Sequence, residues 1–134
     1  MDIGTVSEWV QEAEADYKNA ETIAKRRKDP TPKSVCWLCQ QSAEKYLKAF
    51  LIRHSQKFPF RHDLVELNNM CHAVDHDFRM IVGDLEELNA YGPAFRYPGS
   101  TATAEDARSA LKAIKRVREF VRLKLGLGKI ILRT

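Results

Sequence analysis

No run of apolar residues in this chain of 134 approaches the roughly 20 that a helix needs to cross a bilayer, so no membrane-spanning helix is expected. Cysteine is scarce. Cys36, Cys39 and Cys71 form an odd set without a repeated spacing, which argues against a disulfide framework and for thiols kept reduced. Six glycines and five prolines are too few for a low-complexity or collagen-like chain. No stretch alternates apolar and polar residues for long enough to make a strand, and no segment repeats. The opening residues, MDIGTVSEWVQEAEAD, contain neither a basic segment nor an apolar core. A secretory signal is therefore not expected, and the cytoplasm is the expected compartment.

What is present belongs to an ordinary soluble domain: 44% hydrophobic and 30% charged residues. The length suits one domain with one shared core. Charge is mildly basic at +4, but unevenly placed. Residues 104–134 hold nine lysines and arginines against three acids, whereas residues 1–32 hold five against seven. The basic segment reads either as a solvated helix face or as an attractor of phosphates or an acidic partner.

Apolar residues recur at helical spacing along most of the chain. Val6, Trp9, Val10, Ala13, Tyr17, Ala20, Ile23 and Ala24 form one stripe over residues 5–28, with Thr5 and Glu8 as a capping box. Lys25-Arg26-Arg27-Lys28 suits the negative end of that helix, and Asp29-Pro30-Thr31-Pro32 ends it. A second helix is expected from about residue 33 to 55, its inner stripe carried by Val35, Leu38, Ala43, Leu47 and Phe50. Its outer side shows Gln40, Gln41, Glu44, Lys45 and Lys48. Asp63 caps a short third helix and a fourth runs from about 77 to 88. Residues 91–99 hold two prolines and two glycines and read as a loop, its aromatics tied to the body. Thr103 and Asp106 open a last helix that stops at Gly126 and Gly128. Short connections between such helices favour antiparallel neighbours. The expected fold is all-α: an up-and-down four-helix bundle with one additional short helix, over residues 1–128, followed by an apolar tail at 129–134.

Four constellations bear on chemistry. Cys36-Trp37-Leu38-Cys39 is a C-x-x-C on a helix, where a redox pair would want a preceding strand; with Cys71, His72 and His76 it also has zinc-like spacings. Cysteines packed in the core are the favoured reading, and no metal or cofactor is expected. Arg61-His62-Asp63 reads as a helix entry or as a phosphate-facing pair at a helix N-terminus. In Arg96-Tyr97-Pro98 the proline holds Tyr97 extended, beside a planar guanidinium. That pair suits stacking on a base and gripping a phosphate, or simply anchoring the loop.

Read together, these pieces resemble the HEPN domain family. They are Trp9, Ala13, Asp16 and Tyr17 on the first helix, then residues 39–49 (CQQSAEKYLKA) on the second. His62-Asp63-Leu64 follows at the third helix and Arg96-Tyr97-Pro98 before the last. The resemblance spans about residues 7–125 and implies a homodimeric helical core, often encoded beside a small nucleotidyltransferase in toxin–antitoxin or defence pairs. Some members are metal-independent ribonucleases using an Arg followed four to six residues later by a His. Others bind nucleotides or act as interaction modules. Here no arginine stands at that spacing before His54, His62, His72 or His76, so the ribonuclease role does not carry over on its motif. The resemblance implies that the polar strip on the second helix lines a dimer or ligand groove; as a bare charge pattern it reads equally as a solvated face. The expected function is a dimeric interaction module that binds nucleotide or RNA phosphates. Its expected phosphate-binding residues are Arg96, Tyr97, Lys45, Lys48 and Arg108. The alternatives are a ribonuclease with a displaced pair, Arg61 and His62, or a scaffold without ligand.

Overall fold

The computed structural model describes residues 4–58 and 63–128, and every regular element among them is a helix. The expected tail at 129–134 and the Arg61–His62 pair lie outside the described residues.

Helix α1, Val6–Ala24, opens on the expected capping box: Glu8 N–H donates to Thr5 Oγ1 at 3.1 Å, and Thr5 N–H to Glu8 Oε1 at 2.9 Å. It stops short of the basic run at 25–28. Those four cations offer no apolar side chain to bury, and Asp29 takes φ 51 to turn the chain back. Helix α2, Pro32–Arg53, starts with proline at its first position, where the missing N–H costs nothing. Of its 22 residues 13 are buried, which makes it the axis of the molecule rather than a one-sided surface helix. Gln40, Glu44 and Lys48 are among the buried ones, so the strip on α2 is not a solvated face.

Helix α3, Leu64–Val74, is capped by Asp63, whose Oδ1 accepts from Val65 N–H and Glu66 N–H. The single fourth helix expected over 77–88 is instead two pieces: a 3-10 helix, His76–Ile81, and α4, Val82–Asn89. The tighter winding sets Phe78 against Phe50 and Phe120, with ring centroids 4.4 and 4.9 Å away. Asn68 Nδ2 donates to the Phe78 carbonyl at 3.2 Å and fixes the same point. The loop expected at 91–99 contains a second 3-10 turn, Pro93–Arg96. Helix α5, Ala104–Lys124, has its own capping box between Thr103 and Asp106.

Side-chain pairings give the directions. Ser42 bonds the Ala13 carbonyl while Lys48, six positions further along α2, stands over Trp9, four positions earlier on α1, so α1 and α2 are antiparallel. Glu14 meets Arg122 while Tyr17, further along α1, lies under Arg118, which runs α5 antiparallel to α1. Asp84–Arg116 and Glu87–Ser109 do the same for α4 and α5. The result is up, down, up, down, with α3 as the added short helix. Tyr46, Leu47, Phe50, Phe78, Leu85 and Ile114 fill the centre, all buried. No helix among the described residues is long and apolar enough to cross a membrane.

Candidate phosphate-facing site

The end of the bundle where α1 finishes and α2 and α5 begin collects cations that form no ion pair among the described residues. The turn Pro93–Arg96 is held there by aromatic packing, with Tyr91 and Phe95 edge to face at 4.9 Å. Tyr91 also stands beside the Cys36 side chain on the first turns of α2. Tyr97 has φ −76 and ψ 156, the extended form its following proline demands. Its carbonyl accepts from Lys33 Nζ at 2.7 Å. The Arg96 guanidinium stands over two rings, 5.5 Å from Trp37 and 5.7 Å from Tyr97. Arg96 is exposed and meets no carboxylate among the described residues, and Tyr97 is 58% exposed. The side chains thus present a planar cation and an open aromatic face side by side.

The other expected residues are placed elsewhere. Lys45 lies eight positions beyond Trp37, about 12 Å along α2. Its charge is taken by Asp16 at 2.7 Å and Glu12 at 3.8 Å. Lys48 is buried in an i,i+4 pair with Glu44 at 2.8 Å, its ammonium 5.5 Å over Trp9 and 5.4 Å over Phe58. Neither joins the Arg96 turn. Arg108 is exposed on α5 and lines a groove with Ala24, Pro30 and Pro32. The pattern in the sequence does not single out Lys33 and Trp37. Trp37 sits inside a C-x-x-C whose cysteines carry the obvious chemistry, although an aromatic at the start of a helix near a proline-bounded turn is itself a signal.

The thiols are core residues. Cys36, Cys39 and Cys71 are buried and free, and burial pushes all three up, Cys36 to about 11. Groups held this firmly protonated are not redox nucleophiles. His72 and His76 stack at 4.9 Å, but among the described residues no cluster of three or more His, Cys, Asp or Glu stands ready for a metal.

An all-helical bundle with an additional short helix and an aromatic-rich turn before its last helix defines a small helical domain of the kind the sequence resembles. The HEPN domain family matches residues 6–124, and the chain belongs to that family. Its fold is similar to the crystal structure of ST0689, an archaeal HEPN homologue, with TM-score 0.74 and 21% identity over 92% of this chain and 99% of that one. It is also similar to the crystal structure of TT1696 from Thermus thermophilus, with TM-score 0.68 and 20% identity over 89% and 97% of the two chains. At those identities the likeness speaks for the fold. No curated protein matches the chain.

Proposed function

We propose that this HEPN domain is an interaction module that binds nucleotide or RNA phosphates at the Arg96–Tyr97 turn. The observation that carries the reading is the Arg96 guanidinium lying over Trp37 and Tyr97 with no carboxylate among the described residues to neutralise it. A paired arginine is a structural tie; an unpaired one over an aromatic face can grip a phosphate while a base stacks beside it. Lys33, fixed to the Tyr97 carbonyl, adds a second positive charge at the turn. Membership of the family supports a cytoplasmic homodimer working beside a small nucleotidyltransferase in a toxin–antitoxin or defence pair. Leu123 and Leu127, 67% and 47% exposed near the end of α5, offer apolar surface for such an association.

The test is anisotropy of a fluorescein-labelled oligouridylate and of labelled ATP at low and raised salt. Binding is expected to weaken with salt, and Arg96→Ala to reduce affinity about tenfold while the strand stays intact. No binding at low salt overturns the proposal. Cleavage in the presence of a chelator, lost in His62→Ala, replaces it with the ribonuclease reading.

A further inference from the structure

Helix α5 divides its cations into two sets. Arg116, Arg118, Arg122 and Lys124 each meet a carboxylate, on Asp84, Glu14, Glu14 and the Asp75–Asp77 pair respectively. Arg108, Lys112 and Lys115 are exposed and have no ion pair among the described residues. Their spacing, i, i+4, i+7, puts them on one face and spreads them over about 10 Å of helix. That face overlooks a groove between α1 and α5. One part, about 180 Å³, is lined by Tyr17, Glu21, Lys25, Lys112 and Lys115. The other, about 190 Å³, is lined by Pro30, Pro32 and Arg108 among others, and both parts share Ala24 and Leu111 as floor. Lys25, on the α1 wall, is likewise exposed and unpaired among the described residues, and Arg26, Arg27 and Lys28 continue it along the α1–α2 connection.

An apolar floor under cationic walls fits some ligands and not others. A nucleic-acid strand wants an open ring for its bases. The ring here, Tyr17, is buried, and its hydroxyl is bonded to Glu21 at 3.0 Å. An amphipathic helix is complementary: its apolar residues cover Ala24 and Leu111, and its acids meet the three-cation stripe. We infer that the α1–α5 groove docks an acidic amphipathic helix of a partner protein, with carboxylates spaced to match Arg108, Lys112 and Lys115. The surface is separate from the Arg96 turn, and either can fail without the other.

The experiment uses the full chain and a fluorescein-labelled helical peptide of about 16 residues, long enough to hold a helix when docked. It carries Glu at i, i+4, i+7 beside a leucine stripe. A scrambled peptide of the same composition is the control. Binding is expected to weaken as salt rises. The charge reversal Arg108→Glu, Lys112→Glu, Lys115→Glu should cost at least about tenfold in affinity, and a peptide with Lys in place of the three Glu should recover it. Because these side chains are exposed and unpaired, the variant should keep the parent helical spectrum and melting behaviour. Arg96→Ala should leave peptide binding unchanged. Equal binding of the scrambled peptide, no effect of the reversal, or no peptide binding at all overturns the inference. Loss of oligouridylate binding in the reversal variant, with no peptide binding in the parent, assigns the groove to nucleic acid instead.

Discussion

Glu14 ties three helices together with one carboxylate. From α1 it accepts from the Tyr46 hydroxyl on α2, from Arg118 at 2.7 and 3.0 Å, and from Arg122 at 3.5 Å on α5. Its removal leaves the buried Tyr46 hydroxyl and a largely covered guanidinium without an acceptor. Glu14→Ala is expected to cost about 3 kcal/mol, read from chemical denaturation. Replacing both partners by apolar side chains, Glu14→Leu with Arg118→Met, should cost less than the single change. None of this is legible in the sequence, because the partners lie 32 and 104 residues away and Glu14 reads as one of five acids along α1. Arg96 and Tyr97 are legible, since a proline and an aromatic neighbour act locally. Lys45 and Lys48 read as outer-side cations, either solvated or lining a groove for phosphates, because the sequence does not reveal that α2 has neighbours all round. If the Arg96 turn binds phosphates through its rings, Tyr97→Ala should weaken oligouridylate binding, and Tyr97→Phe should largely retain it in the same anisotropy assay.

Among the elements, capping chemistry decides where helices begin. Thr5 with Glu8 and Thr103 with Asp106 both form the reciprocal box their spacing announces. Thr103→Ala should therefore cost about 1 kcal/mol. Thr31, which precedes α2 without a side-chain cap bond, should tolerate alanine to within about 0.5 kcal/mol. Urea midpoints of the two variants make the comparison. Helix ends are harder to read. The basic run after Ala24 has the look of a favourable last turn, but dipole attraction is worth only some tenths of a kcal/mol and nothing there is buried. Residues 76–89 also mislead. Their apolar spacing fits one α-helix, yet seating Phe78 between Phe50 and Phe120 requires the first part to wind more tightly. Local periodicity cannot anticipate a demand set by α2 and α5.

For the whole molecule, all-α architecture and helix order follow from periodicity, and the core residues largely from the same stripes. Its response to pH follows from what it buries. Folding lifts the Cys36 thiol from 9.0 to about 11 and moves Cys39 and Cys71 in the same direction. An unfolded chain releases those protons near pH 9, while the folded one still holds them, so stability should fall as the medium becomes alkaline. Urea midpoints between neutrality and about pH 10 should decline, and Cys36→Ala should make that decline shallower. At the acid end the sign reverses. Lys124 and the Asp77 N–H hold Asp75 below the usual carboxylate range, so its contribution is lost as pH drops through that lowered value. Helix α2 sets a further property of the whole. Sheathed by α1, α3, α4 and α5, it can exchange its backbone protons for deuterium only when the entire assembly opens. Residues 42–51 should then be the slowest to take up label, at a rate that reports global unfolding, while amides near Lys25 and Gly99 exchange through small local excursions.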